Sequence, residues 1–215
     1  MNILLFVIIF LYTTNWVRVL LLKDLFNRSN NKKLFSKFNN EKYLAKVNKK
    51  AKLKFDIRVQ ESPAIYGYMA GLPIAPFMVV SSGAIKQLSL NELEWIVLHE
   101  VGHCVMWHVA KNALGQALFL IGGIVLLVFL KLNIIFIPVY AVLLGIVWYQ
   151  IERVFELNAD KFSLARIDDP RGMITANQKM KAKGKSIFYK NLLLGKLFTP
   201  HLSYDERIEM AKLKL

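Results

Sequence analysis

The sequence predicts an α+β fold, in which a small β-sheet packs on one histidine-bearing helix joined to about three transmembrane helices. Three observations point there. Short alternating apolar stretches, separated by glycine and proline, occupy residues 54–88. A capped, helix-periodic stretch follows and carries two histidines four residues apart. Two long, nearly uncharged runs reach the length that crosses a bilayer. Composition agrees. The 215 residues suffice for one domain of ordinary size. They combine 55% hydrophobic residues with a net charge of +14 and a mean hydropathy of +0.36. A nucleic-acid binder can be this basic, but it does not carry such uncharged runs, so no nucleic-acid partner is expected. A membrane protein with basic loops, and hence the lipid bilayer as a partner, reconciles the two.

The first apolar run, 3–22, has one charge, Arg18, near its end. There an arginine snorkels to the interface. No basic stretch precedes the run and no small-residue cleavage site follows it, so residues 1–22 read as a retained anchor rather than a signal peptide. The second run, 113–149, carries Lys131 as its one charge. It is too long for one straight span and fits two short ones turning at 131–133, as a transmembrane or re-entrant hairpin. Residues 23–54 hold 11 Lys/Arg against Asp24 and Glu41, and residues 151–215 hold 13. The positive-inside rule places both basic segments on the cytoplasmic side, giving a multi-pass protein of the cell membrane. The 23–54 segment reads as a tether or as a surface strip along anionic lipid.

Between these parts lies a discontinuous domain, 55–112 and 151–215. Residues 54–62 alternate and read as a strand, and 65–71 and 75–88 as two more. Ser89, with Glu92 three residues later, forms a capping box, so a helix begins there and runs through "VLHEVGH". Residues i and i+4 share a helix face, so His99 and His103 can both turn a ring nitrogen to one metal ion. Glu100 is within reach of a water on that metal without being a ligand.

Catalytic zinc takes three protein ligands and leaves one position open. His108 follows His103 by five residues and on a continuous helix faces away from the metal. Met106 also breaks the spacing of the longer three-histidine motif. Beyond the hairpin, "QIERVFELNADKFSLAR" offers Glu156 as a third ligand, with Asp160 one turn on to hydrogen-bond a ligating histidine. Cys104, the single cysteine, reads as a buried apolar filler.

"SSGAIKQLSLNELEWIVLHEVGH", a membrane hairpin, "RVFELNAD" and "HLSYDERI", in that order over about residues 43–210, resemble the HtpX heat-shock proteases and the type I CAAX prenyl proteases. The resemblance implies a gluzincin-like metalloprotease domain with one Zn2+ per chain on His99, His103 and Glu156. It implies Glu100 as general base, Asp160 as support behind the ligands, and His201 with Arg207 for the oxyanion, Arg207 acting from behind by fixing His201 or the Glu156 region. It further implies protein or peptide substrates, membrane proteins among them, cut on the cytoplasmic side in quality control. The strand around "PFMVVSS" is expected to pair with an extended substrate. Leu202 stands where the family has proline, and Tyr66 where an Asn-Ala pair follows the first strand. The alternatives are a CAAX-type processing protease, for whose many-helix chamber the chain is short, a non-catalytic or regulatory membrane adaptor retaining a zinc site, and a sensor-linked regulatory protease, for which a separate sensor domain is expected. A structural site has no need of Glu100.

Overall fold

The computed structural model describes Leu4 and residues 35–70, 73–131, 136–183 and 199–215. Apart from Leu4, the expected anchor, together with residues 23–34 and 132–133 of the expected turn, lies outside the described residues. In chain order the elements are β1 (Phe35–Lys37), α1 (Glu41–Ala51), β2 (Asp56–Gln60), β3 (Gly67–Ala70) and β4 (Phe77–Ser81). These are followed by α2 (Ser82–Gln87), α3 (Leu90–Val105), α4 (His108–Leu130), α5 (Ile137–Leu164), α6 (Arg171–Lys183) and α7 (Tyr204–Lys212).

The sheet runs in the order β1-β2-β4-β3, with β2 and β4 parallel and both outer strands antiparallel to their neighbours. Two local differences from the sequence reading stand out. Residues 75–88 are not one strand, because Ser81 accepts a hydrogen bond from the Ala84 N–H and caps α2. The strand around "PFMVVSS" is β4, which is paired on both sides and therefore has no edge to offer a substrate. The edges belong to β1 and β3, and β3 is the one beside α3.

The described part of the segment read as a tether, residues 35–54, is folded onto the domain. Tyr43, Val47 and Ala51, at i, i+4 and i+8 of α1, are buried in the core with Leu93, Val97 and Leu98 of α3. Lys46 and Lys50, on a neighbouring stripe, both pair with Glu94, a carboxylate of α3 with 1% exposure. Asp168 closes the network from the other side, 2.7 Å from Lys46 Nζ. A buried carboxylate needs such partners, and the lysines that could have faced lipid supply them.

α3 opens on the expected capping box, with both reciprocal Ser89–Glu92 bonds present. It packs against β3 on one side and crosses α5 on the other. The crossing is close because Gly102 has no side chain. A Cβ there would lie 3.2 Å from the Ala159 Cα and 3.2 Å from the Phe162 ring. α4 and α5 are long and apolar enough to cross a membrane, and only 17% and 22% of their most apolar stretches are buried within the protein. The core helix of a soluble domain would be covered on more sides. Leu114, Leu118, Ile121, Val125 and Phe129 form a continuous exposed apolar face on α4. α5 continues past its apolar part without a break, so the segment carrying Glu156 and Asp160 is the same rigid helix.

Gly102→Leu should therefore push α5 from α3. Thermal unfolding in detergent is expected to show a loss of about 1–3 kcal/mol, the usual cost of overpacking. Stability equal to the parent would mean that the crossing relaxes freely.

Candidate metal centre

The α3–α5 crossing sets two histidines of one helix against two carboxylates of the other. His99 Nε2 and His103 Nε2 lie 3.2 Å apart. Glu156 Oε2 is 3.5 Å from the first and Oε1 is 3.4 Å from the second. Donors about 2.0–2.1 Å from a tetrahedral ion are separated by about 3.3 Å, so these three distances have the spacing that zinc requires. Two imidazoles and one carboxylate are also a donor set that zinc takes when one coordination position stays open. The site residues fit the ion.

Each histidine is held from behind. His99 Nδ1 lies 2.8 Å from Asp160 Oδ1, a fully buried carboxylate, which fixes Nδ1 as the protonated nitrogen and leaves Nε2 for a metal. Arg207 Nε donates to Asp160 Oδ2 at 2.8 Å and its Nη2 donates to Glu156 Oε2 at 2.7 Å. One guanidinium therefore spans both carboxylates and balances charge that burial would otherwise penalise. The guanidinium carbon also lies 5.6 Å from the centre of the Trp95 ring, on the same helix as the histidines.

The second histidine has a partner the sequence reading misplaced. His108 does not face away. Its Nδ1 is 2.9 Å from His103 Nδ1, and its ring stacks on Phe155 with centroids 4.6 Å apart. On one continuous helix a residue at i+5 would point away from the metal. Instead α3 ends at Val105, and Trp107 adopts a left-handed backbone with φ 58° that restarts the chain as α4 in a new direction. His108 thereby turns back onto His103. A non-glycine residue at positive φ is uncommon, and nothing in the letters "MWH" announces it.

The metal-spaced set opens into a cavity of about 510 Å³. Glu100 lines it, as do β3 residues Gly67, Tyr68 and Met69 and, from the C-terminal segment, Pro200 and His201. His201 Nδ1 comes within 3.2 Å of Glu156 Oε2, while its side chain stays 54% exposed. Arg153, one turn before Glu156, holds that segment by donating to the His201 carbonyl at 3.2 Å and pairing with Glu206. Glu206 in turn closes a capping box with Ser203 at the start of α7. At Tyr66 the backbone is tied to β4, its N–H donating to Ser81 Oγ at 3.2 Å, and its ring stacks with Tyr68 to form an aromatic wall. Cys104 is buried, and burial pushes its thiol up, so it stays protonated and apolar in character. Arg153 is a residue that sequence reasoning passed over, whereas His108 was considered and placed on the wrong side of the helix. For Arg153 the usable signal was its i−3 spacing from Glu156.

Burial disfavours charge on the His99 ring, but Asp160 and Glu156 more than reverse this, and its pKa is pushed up to about 10. The proton therefore sits where a metal would bind, and metal uptake must release it. Because the folded pKa exceeds the unfolded one, protonated His99 contributes stability to metal-free protein that is complete below about pH 6.5. That contribution is lost as pH rises towards 10. Chelator-treated protein should thus lose thermal stability from about pH 7 to 10, more steeply than a His99→Gln variant does. Identical slopes in the two proteins would mean that His99 carries no such proton.

Residues 30–214 match the sequence profile described as Peptidase family M48. No match is found among curated proteins. Among solved structures, the crystal structure of S. mikatae Ste24p superposes with a TM-score of 0.66 at 16% sequence identity. The match covers 98% of this chain and 57% of that one, so the likeness is one of fold and the chain spans little more than half the length of that relative.

Proposed function

The chain belongs to peptidase family M48, and from that premise we propose that it is a membrane-embedded, zinc-dependent endopeptidase. It cuts protein or peptide substrates on the cytoplasmic side and serves in membrane-protein quality control. The observation that carries the reading is the convergence of His99, His103 and Glu156, from two separate helices, to tetrahedral spacing in a cavity that also holds Glu100. A purely structural metal site has no use for a cavity or for a free carboxylate beside it.

His99, His103 and Glu156 are the proposed ligands. Zinc supplies Lewis-acid polarisation of the scissile carbonyl and a nucleophilic water at neutral pH. Glu100 accepts the proton of the attacking water and returns it to the leaving amine. Asp160 and His108 fix the ring orientations of His99 and His103, and Arg207 holds Glu156 and Asp160 in register. His201, at the cavity mouth, donates to the oxygen on which charge develops. β3 is an outer strand, and its residues Gly67, Tyr68 and Met69 line the same cavity. An extended substrate adds there as a further strand, and its carbonyls run past the ligands.

Purified protein is expected to hold about one zinc per chain, the catalytic stoichiometry. His99→Ala should lose metal and peptidase activity together. Glu100→Gln should keep its zinc and lose about a hundredfold or more in turnover, the scale of general-base catalysis. Full activity in Glu100→Gln would overturn this mechanism.

His201→Ala should keep its zinc and lose about a hundredfold in kcat with little change in KM. Loss of zinc in that variant would instead make His201 a ligand.

The membrane placement rests on the exposed apolar faces of α4 and α5 and on the distribution of lysine and arginine. Topology reporters fused after Lys54 and at the C-terminus should both read cytoplasmic, and one inserted after Lys131 should read external. A cytoplasmic reading after Lys131 would show a re-entrant hairpin.

A further inference from the structure

The cavity extends beyond the metal-spaced residues, down between α4 and α5. Glu152 sits one turn from Glu156 toward the hairpin, and Asn112 and Gln116 lie one and two turns along α4 from His108; all three line the cavity. Their hydrogen bonds share two acceptors, Glu152 Oε1 and Asn112 Oδ1, and the Trp148 indole N–H is divided between them, 3.0 Å from Asn112 Oδ1. Asn112 Nδ2 donates to Glu152 Oε1 at 2.8 Å and Trp148 Nε1 donates to it at 3.1 Å. Gln116 Nε2 donates to Asn112 Oδ1 at 2.7 Å and reaches Glu152 Oε1 at 3.5 Å. The arrangement is compact because Gly115 leaves room for Trp148. A Cβ there would lie 2.3 Å from the indole.

A clip between two helices needs none of this charge. A glutamine at 152 would accept the same bonds without the desolvation cost of an anion. Yet among the described residues no Lys, Arg or His lies within ion-pair distance of Glu152, and Oε2 accepts no hydrogen bond. Arg153 beside it is directed to Glu206 and the His201 carbonyl. One carboxylate oxygen is thus saturated and fixed, and the other is left for a cation that arrives from the cavity.

We propose that Glu152, oriented by Asn112 and Trp148 and flanked by Gln116, forms a subsite that takes a Lys or Arg side chain of the substrate beside the scissile bond. The proposal rests on the peptidase reading above and names its substrate class. The spacing suits it. One helical turn is about 5.4 Å, while alternate residues of an extended peptide are about 6.6 Å apart. A side chain within two residues of the cut therefore reaches Glu152 while the backbone lies along β3. Basic residues are enriched where membrane segments emerge on the cytoplasmic side, so such substrates would meet the enzyme at this depth.

The test uses zinc-loaded full chain in detergent and paired fluorogenic peptides. The pairs differ only in carrying Lys or Leu at each of the two positions on either side of the cut. At one position the kcat/KM ratio of Lys to Leu is expected to be about tenfold or more, within the range a built polar subsite can discriminate. In Glu152→Gln that ratio should fall to about one with zinc content retained, and in Glu152→Asp it should be intermediate. Fluorescence anisotropy of the same peptides on the Glu100→Gln protein, with and without Glu152→Gln, makes the comparison without turnover. A Lys preference in binding with no cleavage by the parent protein would uphold the subsite and overturn the peptidase reading. Equal Lys and Leu values in the parent, or a ratio unchanged by Glu152→Gln, would overturn the subsite.

Discussion

The architecture turns on the close crossing of α3 and α5. Gly102 lets the backbone of Ala159 approach, and that approach places His99 and His103 within reach of carboxylates more than fifty residues further along the chain. Buried charge then dictates the rest. Asp160 and Glu156 would be costly side by side in a desolvated core, and Arg207 offsets this by bridging them from α7. The C-terminal helix is thus bound to the centre by ion pairing as well as by packing, with Ala211 buried in the common core.

Around this crossing, each proposed ligand has a fixed partner drawn from a different element. His99 leans on Asp160 of α5, His103 on His108 of α4 and Glu156 on Arg207 of α7. Orientation is therefore set by the framework and not left to free rotamers, which is the condition for a site organised before its ligand arrives. The same elements also shape the cavity. α4 and α5 carry exposed apolar faces, and toward each other they are polar at the end where Asn112, Gln116 and Glu152 meet. The exposed apolar arms and the cavity floor belong to one helix pair.

The lysines illustrate how one composition serves two purposes. In sequence, residues 23–54 read as a tether or a strip along anionic lipid, because basic and apolar residues interleave. In three dimensions the interleaving has a helical period that separates Tyr43, Val47 and Ala51 from Lys46 and Lys50. The first group enters the core and the second meets Glu94 and Asp168. Charge alone said membrane. Period and a buried acid said domain.

What the sequence determined by itself is local. The Ser89–Glu92 cap, the i, i+4 histidines with Glu100 between them, the Glu156–Asp160 turn and the two apolar arms all follow from short-range spacing, and short-range spacing is fixed once a helix forms. Tertiary structure decided everything that depends on where one element stops and another meets it. The left-handed turn at Trp107 redirected His108, and the strand order put β3, not β4, at the sheet edge beside α3. Arg207 and Arg153 acquired partners by packing, and Glu152 was left facing the cavity. These outcomes come from the balance of desolvation and pairing among groups distant in sequence. No local pattern encodes that balance, because each group's cost depends on neighbours that only folding supplies.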